Sequence, residues 1–117
     1  MKIMKTVLAA AIAVAAYGCG SDNSANPFFA EYDTPHGIAP FSEITIDHIR
    51  EGMLKGMEEQ KAEIEAIIAN PEPATFENTI VAMDRSGELL RKVRGVFSPL
   101  SSSNSTEEMR ELEKELS

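Results

Sequence analysis

The chain has 117 residues, a formal net charge of −8, a single cysteine and no tryptophan. Because so acidic a surface repels a phosphate backbone, we expect no nucleic-acid partner. One cysteine cannot form an internal disulfide, and a hydrophobic fraction of 43% is too high for a chain that stays disordered.

The first 18 residues have the pattern of a secretory signal. Lys2 and Lys5 precede an apolar run at residues 7–16. This run is too short to span a bilayer, which takes about 20 apolar residues. We expect residues 1–18 to be removed on export, which takes away two of the 11 basic residues and none of the 19 acidic ones.

Cys19 directly follows the small residue Gly18, as in the lipobox of bacterial lipoproteins. In that pattern the thiol is lipidated and becomes the new N-terminus, so we expect a membrane anchor on Cys19 in the bacterial cell envelope. Ala16 and Tyr17 depart from the usual lipobox, and ordinary secretion with an unmodified Cys19 is the alternative. In both cases the chain leaves the cytoplasm.

Residues 19–26 form a polar tether of small and turn-forming residues. The next segment, 27–42, combines three prolines with four aromatic residues: Pro27, Pro35, Pro40, Phe28, Phe29, Tyr32 and Phe41. Proline at this density excludes a long helix and a central strand, and four aromatic side chains need cover. We therefore expect an extended segment that packs onto another part of the protein.

Thr45 is the predicted N-cap of a first helix that runs to about Ala69. Its apolar residues recur at helical spacing and predict one buried stripe: Ile46, Ile49, Met53, Met57, Ile64, Ile67 and Ile68. Two ion pairs are expected on the exposed side: Glu51 with Lys55 and Lys61 with Glu65.

Thr75 is the predicted cap of a second helix, which is expected to run without a break to Phe97 and to be closed by Pro99. Its apolar face is predicted to contain Phe76, Ile80, Met83, Leu90, Val93 and Phe97. Basic residues near its end are expected to complement the helix dipole: Arg91, Lys92 and Arg94. The short connection Asn70–Ala74 predicts that the two helices lie antiparallel as a hairpin.

Leu100–Asn104 is predicted to be a serine-rich loop before a third helix. Ser105 and Glu108 have the spacing of a capping box. The helix has apolar residues at Met109, Leu112 and Leu116, and its pattern is unfinished at Ser117. We therefore expect an all-α chain that is the front of a longer protein, with 27–117 forming an incomplete helical portion.

The side chains that could carry chemistry are few. His36 is expected to lie in a loop and His48 to cap or pack, because two isolated histidines do not make a metal site. The glutamates of the first helix are interpreted as a solvated face: Glu58, Glu59, Glu63 and Glu65. The methionines in the apolar stripes are interpreted as core residues: Met53, Met57 and Met83. No catalytic, cofactor-binding or metal-binding residue is predicted in this chain.

Several short motifs follow one another along the sequence. They are Asn26-Pro27-Phe28-Phe29, Asp33-Thr34-Pro35-His36-Gly37, Pro40-Phe41, Ile49-Arg50-Glu51-Gly52-Met53, Asn70-Pro71-Glu72-Pro73-Ala74-Thr75-Phe76-Glu77-Asn78-Thr79-Ile80, Val96-Phe97 and Leu100-Ser101-Ser102. The block at 70–80 is the most specific, because it joins a helix stop to a helix cap in one string. In this order the motifs resemble the N-terminus of the thimet oligopeptidase family of zinc peptidases, in particular its bacterial peptidyl-dipeptidase branch, over nearly all of residues 26–116.

The resemblance implies a far longer, mostly helical parent protein with two halves around a deep channel. Such a parent holds one zinc through the two histidines of an H-E-x-x-H helix and a downstream glutamate, and the motif glutamate takes a proton from the attacking water. None of these residues lies in this chain. The resemblance therefore implies that residues 46–97 are scaffold and channel wall of an exported enzyme that removes dipeptides from short peptides, and that the chain alone is inactive.

Two other functions are compatible with the sequence. The first is a short stand-alone helical lipoprotein that acts as a binding or interaction module, since the mature chain has a reasonable domain size. The second, which has the least support, is a metal or haem carrier of the helical-bundle type, because only His48 is available as a ligand on a helix.

Overall fold

The computed structural model describes residues 25–117. Residues 1–18, Cys19 and most of the tether, to which the signal and lipidation predictions refer, lie outside the described residues. Four α-helices follow in order: α1 (Ile46–Ile68), α2 (Ala82–Arg85), α3 (Glu88–Ser103) and α4 (Glu107–Glu115). A π-helical turn (Phe76–Val81) precedes α2, and two short 3-10 turns precede α1: Pro27–Phe29 and Pro35–Gly37. The all-α prediction is confirmed for this part of the chain.

The first helix begins and ends where the sequence predicts. The Thr45 hydroxyl oxygen accepts from the His48 backbone N–H at 3.2 Å, and the His48 ring nitrogen Nδ1 accepts from the Thr45 N–H at 3.3 Å. These reciprocal bonds satisfy two of the free donors at the helix start. The cap role of His48 is confirmed, and the helix ends at Ile68 with Ala69 as its C-cap.

The prediction of one unbroken second helix is wrong. The helix is interrupted at Ser86 and Gly87, where Gly87 has a left-handed φ of 71° that glycine adopts without strain. The buried Ser86 hydroxyl donates to the Met83 carbonyl at 2.7 Å, and the Gly87 N–H donates to the Glu63 carboxylate on α1 at 2.7 Å. Side chains thus replace the helical hydrogen bonds that the break removes.

Arg91 also has a different role from the one predicted. Its guanidinium donates to the carbonyls of Asp84, at 3.0 Å, and Ser86, at 2.8 Å. It therefore caps the end of α2, whereas the end of α3 lies three turns further along the chain.

Pro99 does not close α3, which continues to Ser103, so the predicted loop at Leu100–Asn104 is helical over most of its length. A proline inside a helix leaves the carbonyl four residues earlier, that of Gly95, without a donor. Both Gly95 and Pro99 are exposed, so this carbonyl can be hydrated. The last turn gains hydroxyl donors from Ser102 and Ser103, which bond to the carbonyls of Ser98 and Pro99.

The cap of α4 lies one residue later than predicted. Thr106, and not Ser105, accepts the Met109 N–H at 3.2 Å. Met109 and Leu112 are buried as predicted, and the helix joins α1 through Arg50, whose Nε donates to Glu115 at 3.0 Å. This hydrogen bond is the main cause of a raised Arg50 pKa. Because the pair is on the surface, we assign most of the docking energy to the apolar contacts.

The antiparallel hairpin is confirmed, and α1 and α3 approach closely at two glycines of α1. A Cβ built on Gly52 would lie 2.8 Å from the Val93 side chain, and one on Gly56 would lie 2.8 Å from the backbone of Leu90. Both glycines are buried. Since they are four residues apart, they lie on one face of α1 and leave a flat surface against which α3 packs.

The buried core is concentrated at one end of the hairpin. Its fully buried apolar residues are Phe28, Ile49, Val93, Val96, Phe97, Met109 and Leu112. They come from the beginning of α1, the middle of α3, α4 and the segment before α1. We refer to residues 57–92 as the distal half of the hairpin; within it no apolar side chain of the described structure is fully buried.

The expectation that segment 27–42 packs onto other elements is confirmed only in part, because residues 26–32 are bound to α1 and α3 whereas Phe41 is 51% exposed. Phe28 is 1% exposed, and the Asn26 side-chain amide donates to the His48 carbonyl and the Glu51 carboxylate, both at 2.9 Å. The Lys92 ammonium donates to the carbonyls of Phe28, at 3.0 Å, and Ala30, at 2.5 Å. We refer to residues 26–32 as the strap. Glu51 therefore binds the strap and does not form the predicted pair with Lys55.

The close approach of the helices gives a first prediction. Gly56→Ala should lower the free energy of unfolding by about 1–3 kcal/mol, because its Cβ would meet backbone atoms of α3 that cannot rotate away. The matched control is Gly95→Ala, whose Cβ meets no atom within 4 Å on the exposed side of α3. This change should stabilise the helix by about 0.5–1 kcal/mol. Urea unfolding followed by circular dichroism measures both, and equal effects would contradict the packing described.

The strap gives a second prediction. Phe28→Ala should lower the free energy of unfolding by about 3–5 kcal/mol, because it leaves a cavity between α1 and α3. The neighbouring Phe29 is 39% exposed with its ring 4.1 Å from the Lys55 ammonium, so Phe29→Ala should cost about 1 kcal/mol or less. Hydrogen exchange of the strap amides, together with urea unfolding, distinguishes the two. If both variants lose comparable unfolding free energy and comparable protection of the strap amides, Phe28 does not anchor the strap.

Candidate functional site: the tip of the hairpin

The turn between α1 and the π-helical turn is fixed by side chains of the 70–80 block. The Asn70 side-chain oxygen accepts the Glu72 N–H at 3.0 Å. Thr75 and Asn78 form a reciprocal cap: the Thr75 hydroxyl accepts the Asn78 N–H at 3.1 Å, and the Asn78 side chain accepts the Thr75 N–H at 2.8 Å. Asn78 also donates to the Pro73 carbonyl at 3.0 Å. The predicted cap is confirmed, and Asn78 is the partner that the sequence analysis did not identify.

The apolar residues around this turn are exposed. One set lies on α1 at Met57, Ile64 and Ile68, and a second set lies at Phe76, Ile80 and Met83 on the π-helical turn and α2. We refer to these two sets as the apolar rows. Ile68 is 78% and Phe76 72% exposed, Ile80 is 54% exposed, and only Ile64 is half-buried. The interpretation of Met57 and Met83 as core residues is therefore wrong, whereas Met53 is half-buried against the core.

The second of these sets ends just before the break at Ser86 and Gly87. The buried side chains of α3 begin only at Val93, so the stretch before the break does not continue the same packed face. The second row lies on a π-helical turn with a different residue spacing from an α-helix. The distal half thus presents apolar side chains at regular spacing to solvent.

The surroundings of the rows are acidic. We refer to residues 57–85 as the tip, and its exposed carboxylates are Glu58, Glu59, Glu63, Glu65, Glu72, Glu77 and Asp84. The two basic side chains of the same region are Lys61 and Arg85, and Lys61 lies 3.9 Å from Glu65 as predicted. The tip therefore combines exposed apolar side chains with an excess of negative charge.

The glutamates of α1 are exposed, as predicted for a solvated face. Glu63 departs from this interpretation in one respect, because its carboxylate accepts the Gly87 N–H. An ion pair joins Lys55 to Glu59 at 4.0 Å. No paired-carboxylate arrangement suited to acid–base chemistry follows from these contacts.

The two histidines lie in separate elements. His36 is in the exposed 3-10 turn before α1, with a left-handed φ of 62°, and His48 caps α1. Within residues 25–117, no three His, Cys, Asp or Glu side chains come together in an arrangement that could hold a metal. The zinc implied by the resemblance therefore does not fit this part of the chain. None of the helices described there combines the length and the apolar character needed to cross a bilayer.

A second surface feature is an open groove of about 630 Å³ beside the strap. It is lined by Phe29, Tyr32, Lys55 and Lys92 among others. Each lysine lies over an aromatic ring, with Lys92 4.2 Å from the Tyr32 ring, and Lys92 also donates to two carbonyls. Burial raises the pKa of Tyr32. These groups hold the strap in place, and the groove brings no nucleophile and base together.

Several contacts that build this structure were not predicted from the sequence. Gly52 and Gly56 have the spacing of a close helix contact, which the apolar stripe alone does not indicate. Asn26 of the strap binds α1 and Lys92 of α3 binds the strap, across separations of more than 20 and 60 residues, and local patterns contain no signal for such contacts. The dipeptide Ser86-Gly87 was the available signal for the break.

Comparison with known proteins gives two related sequences. The chain is 36% identical over 92 residues to the dipeptidyl carboxypeptidase of Escherichia coli (strain K12), which covers 79% of this chain and 14% of that protein. It is 31% identical over 94 residues to the dipeptidyl carboxypeptidase of Salmonella typhimurium, covering 80% and 14% respectively. No protein-family profile matches the chain.

The fold and the comparisons together define a helical segment in which residues 25–117 bring together no cluster of metal ligands. Over about four-fifths of its length, this segment is related to the bacterial dipeptidyl carboxypeptidases. The part of the resemblance that concerns the bacterial peptidyl-dipeptidases is thereby confirmed. The chain spans about one-seventh of the length of the curated relatives it matches.

Proposed function

We propose that this chain is the N-terminal scaffold and channel-wall portion of an exported zinc-dependent peptidyl-dipeptidase that hydrolyses short peptides. The observation that carries the proposal is the similarity to two dipeptidyl carboxypeptidases over most of the chain but only 14% of each relative. A segment that occupies so small a share of an enzyme, and brings no catalytic group of its own, contributes shape and support.

The geometry supports a scaffold role. Helix α1 has 23 residues, which corresponds to a rod of about 35 Å at 1.5 Å per residue. It is fastened at its beginning by the strap and α4, and at its end by a turn with two prolines and the Thr75–Asn78 cap. A rod held at both ends keeps its position when a peptide passes beside it, as a channel wall requires.

Zinc and its ligands would belong to the parent protein outside residues 25–117. The described residues offer no arrangement of three ligands, so we assign no step of the reaction to them. When bound, zinc would supply activation of a water for attack on the peptide carbonyl. On this proposal the chain by itself is inactive.

The activity is tested on the product of the gene together with any sequence that follows codon 117 in frame. We expect an H-E-x-x-H motif downstream, and release of dipeptides from the C-terminus of a short unmodified peptide, measured by mass spectrometry. A zinc chelator should abolish the release and added zinc should restore it, whereas residues 1–117 alone should release none.

A stop codon directly after Ser117, verified by resequencing, would contradict the proposal. Sedimentation and circular dichroism of residues 20–117 would then become decisive. A monomer with a cooperative thermal transition would favour the stand-alone binding module instead.

Export and anchoring are a further part of the proposal, and they are supported by the sequence of residues 1–19. Wild-type protein in a bacterial host should incorporate an alkyne-labelled fatty acid, and Cys19→Ser should abolish the label. A matched control is the double change Cys19→Ser with Ser21→Cys, which keeps one thiol but separates it from Gly18, and it should also remain unlabelled. Label-free wild-type protein outside the cytoplasm would point to ordinary secretion.

A further inference from the structure

We infer that the apolar rows at the tip are the docking surface for the remainder of the peptidase, and that the partner surface is apolar with basic side chains at its edge. This inference rests on the proposed function and specifies where the segment joins its parent. Four of the six row residues carry the argument most directly: Ile68, Phe76, Ile80 and Met83.

The rows are not covered by the described part of the chain itself. Ile68 and Phe76 each keep more than two-thirds of their surface, and Ile80 keeps more than half. Every fully buried apolar side chain lies outside the distal half. Exposed apolar residues are ordinary when single, but large side chains at successive helical positions on both arms of one hairpin mark an interaction surface.

The rows are also presented in a fixed arrangement. The bonds from Asn70, Thr75 and Asn78 set the turn, and the Glu63 carboxylate fixes the start of α3 through the Gly87 N–H. A surface that is ordered before it binds loses little conformational entropy on binding. The 70–80 block, which carries the most specific part of the resemblance, is therefore the part that shapes this surface.

The negative charge around the apolar rows indicates which partner can bind them. The carboxylates around the rows outnumber the basic side chains, so a second copy would bring the same sign of charge to the contact. An anionic membrane surface would be repelled in the same way. The curated relatives are about seven times as long as the segment they share with this chain, and the additional length supplies a large candidate surface within one protein. A basic edge on that surface would complement Glu72 and Glu77.

The experiment uses an active chimera, in which residues 26–117 replace the matching segment of the Escherichia coli dipeptidyl carboxypeptidase. The double change Phe76→Ser with Ile80→Ser should shorten the half-life of the chimera's activity at a fixed elevated temperature by at least about fivefold. Because both side chains are exposed in the segment itself, the same change should leave the far-UV circular dichroism spectrum of the chimera at room temperature unchanged.

The matched control is Phe41→Ser, because Phe41 is 51% exposed but lies before α1 and outside the rows. It should leave the half-life unchanged. Reversal of charge in Glu72→Lys with Glu77→Lys should also shorten the half-life, and by less in high salt than in low salt.

The outcomes separate the inference from the proposed function. An inactive wild-type chimera would count against the proposed function and the inference together. The inference alone would be overturned if the chimera is active and Phe76→Ser with Ile80→Ser leaves the half-life of its activity unchanged. It would also be overturned if Phe41→Ser shortens this half-life as much as the double change does. Dimerisation of residues 20–117 that this double change abolishes would assign the rows to a second copy, and would also overturn it.

Discussion

The close contact of α1 with α3 at Gly52 and Gly56 is the constraint on which the other packed parts depend. Without side chains at these positions, the backbone of Leu90 and the side chain of Val93 come within contact of α1. Phe28 then fits beside Gly52 and Val93, and Lys92 reaches the carbonyls of the strap. A larger residue at Gly56 would separate the helices and open this whole end of the hairpin.

The sequence predicted which segments are helical better than it predicted where the helices break or continue. Local signals were sufficient for α1, because the cap at Thr45 and the apolar spacing depend on neighbouring residues alone. They failed at Ser86-Gly87, where the carboxylate of Glu63 on another helix stabilises a break. They failed again at Pro99, because an exposed carbonyl can tolerate the lost hydrogen bond. Both errors come from interactions that local periodicity does not contain.

For the candidate site, the sequence indicated apolar stripes but not whether they are covered. Met53 and Met57 have equivalent positions in the pattern, yet only the first packs against the core. The difference is set by where α3 begins to pack, which is a tertiary property. The specific 70–80 block could be recognised from its residues, and the structure gives its physical content: an Asn70 turn, two prolines and the Thr75–Asn78 cap.

The strap has a mechanical consequence under the proposal that Cys19 carries a membrane anchor. Tension applied upstream would first reach Asn26 and the Phe28 ring, which are fastened near the beginning of α1. The opposite end of that helix lies about 30 Å away at 1.5 Å per residue. The contacts of the strap with α1 and α3 would therefore bear this tension as shear. The turn at the far end of α1 would keep its geometry when the N-terminus is pulled.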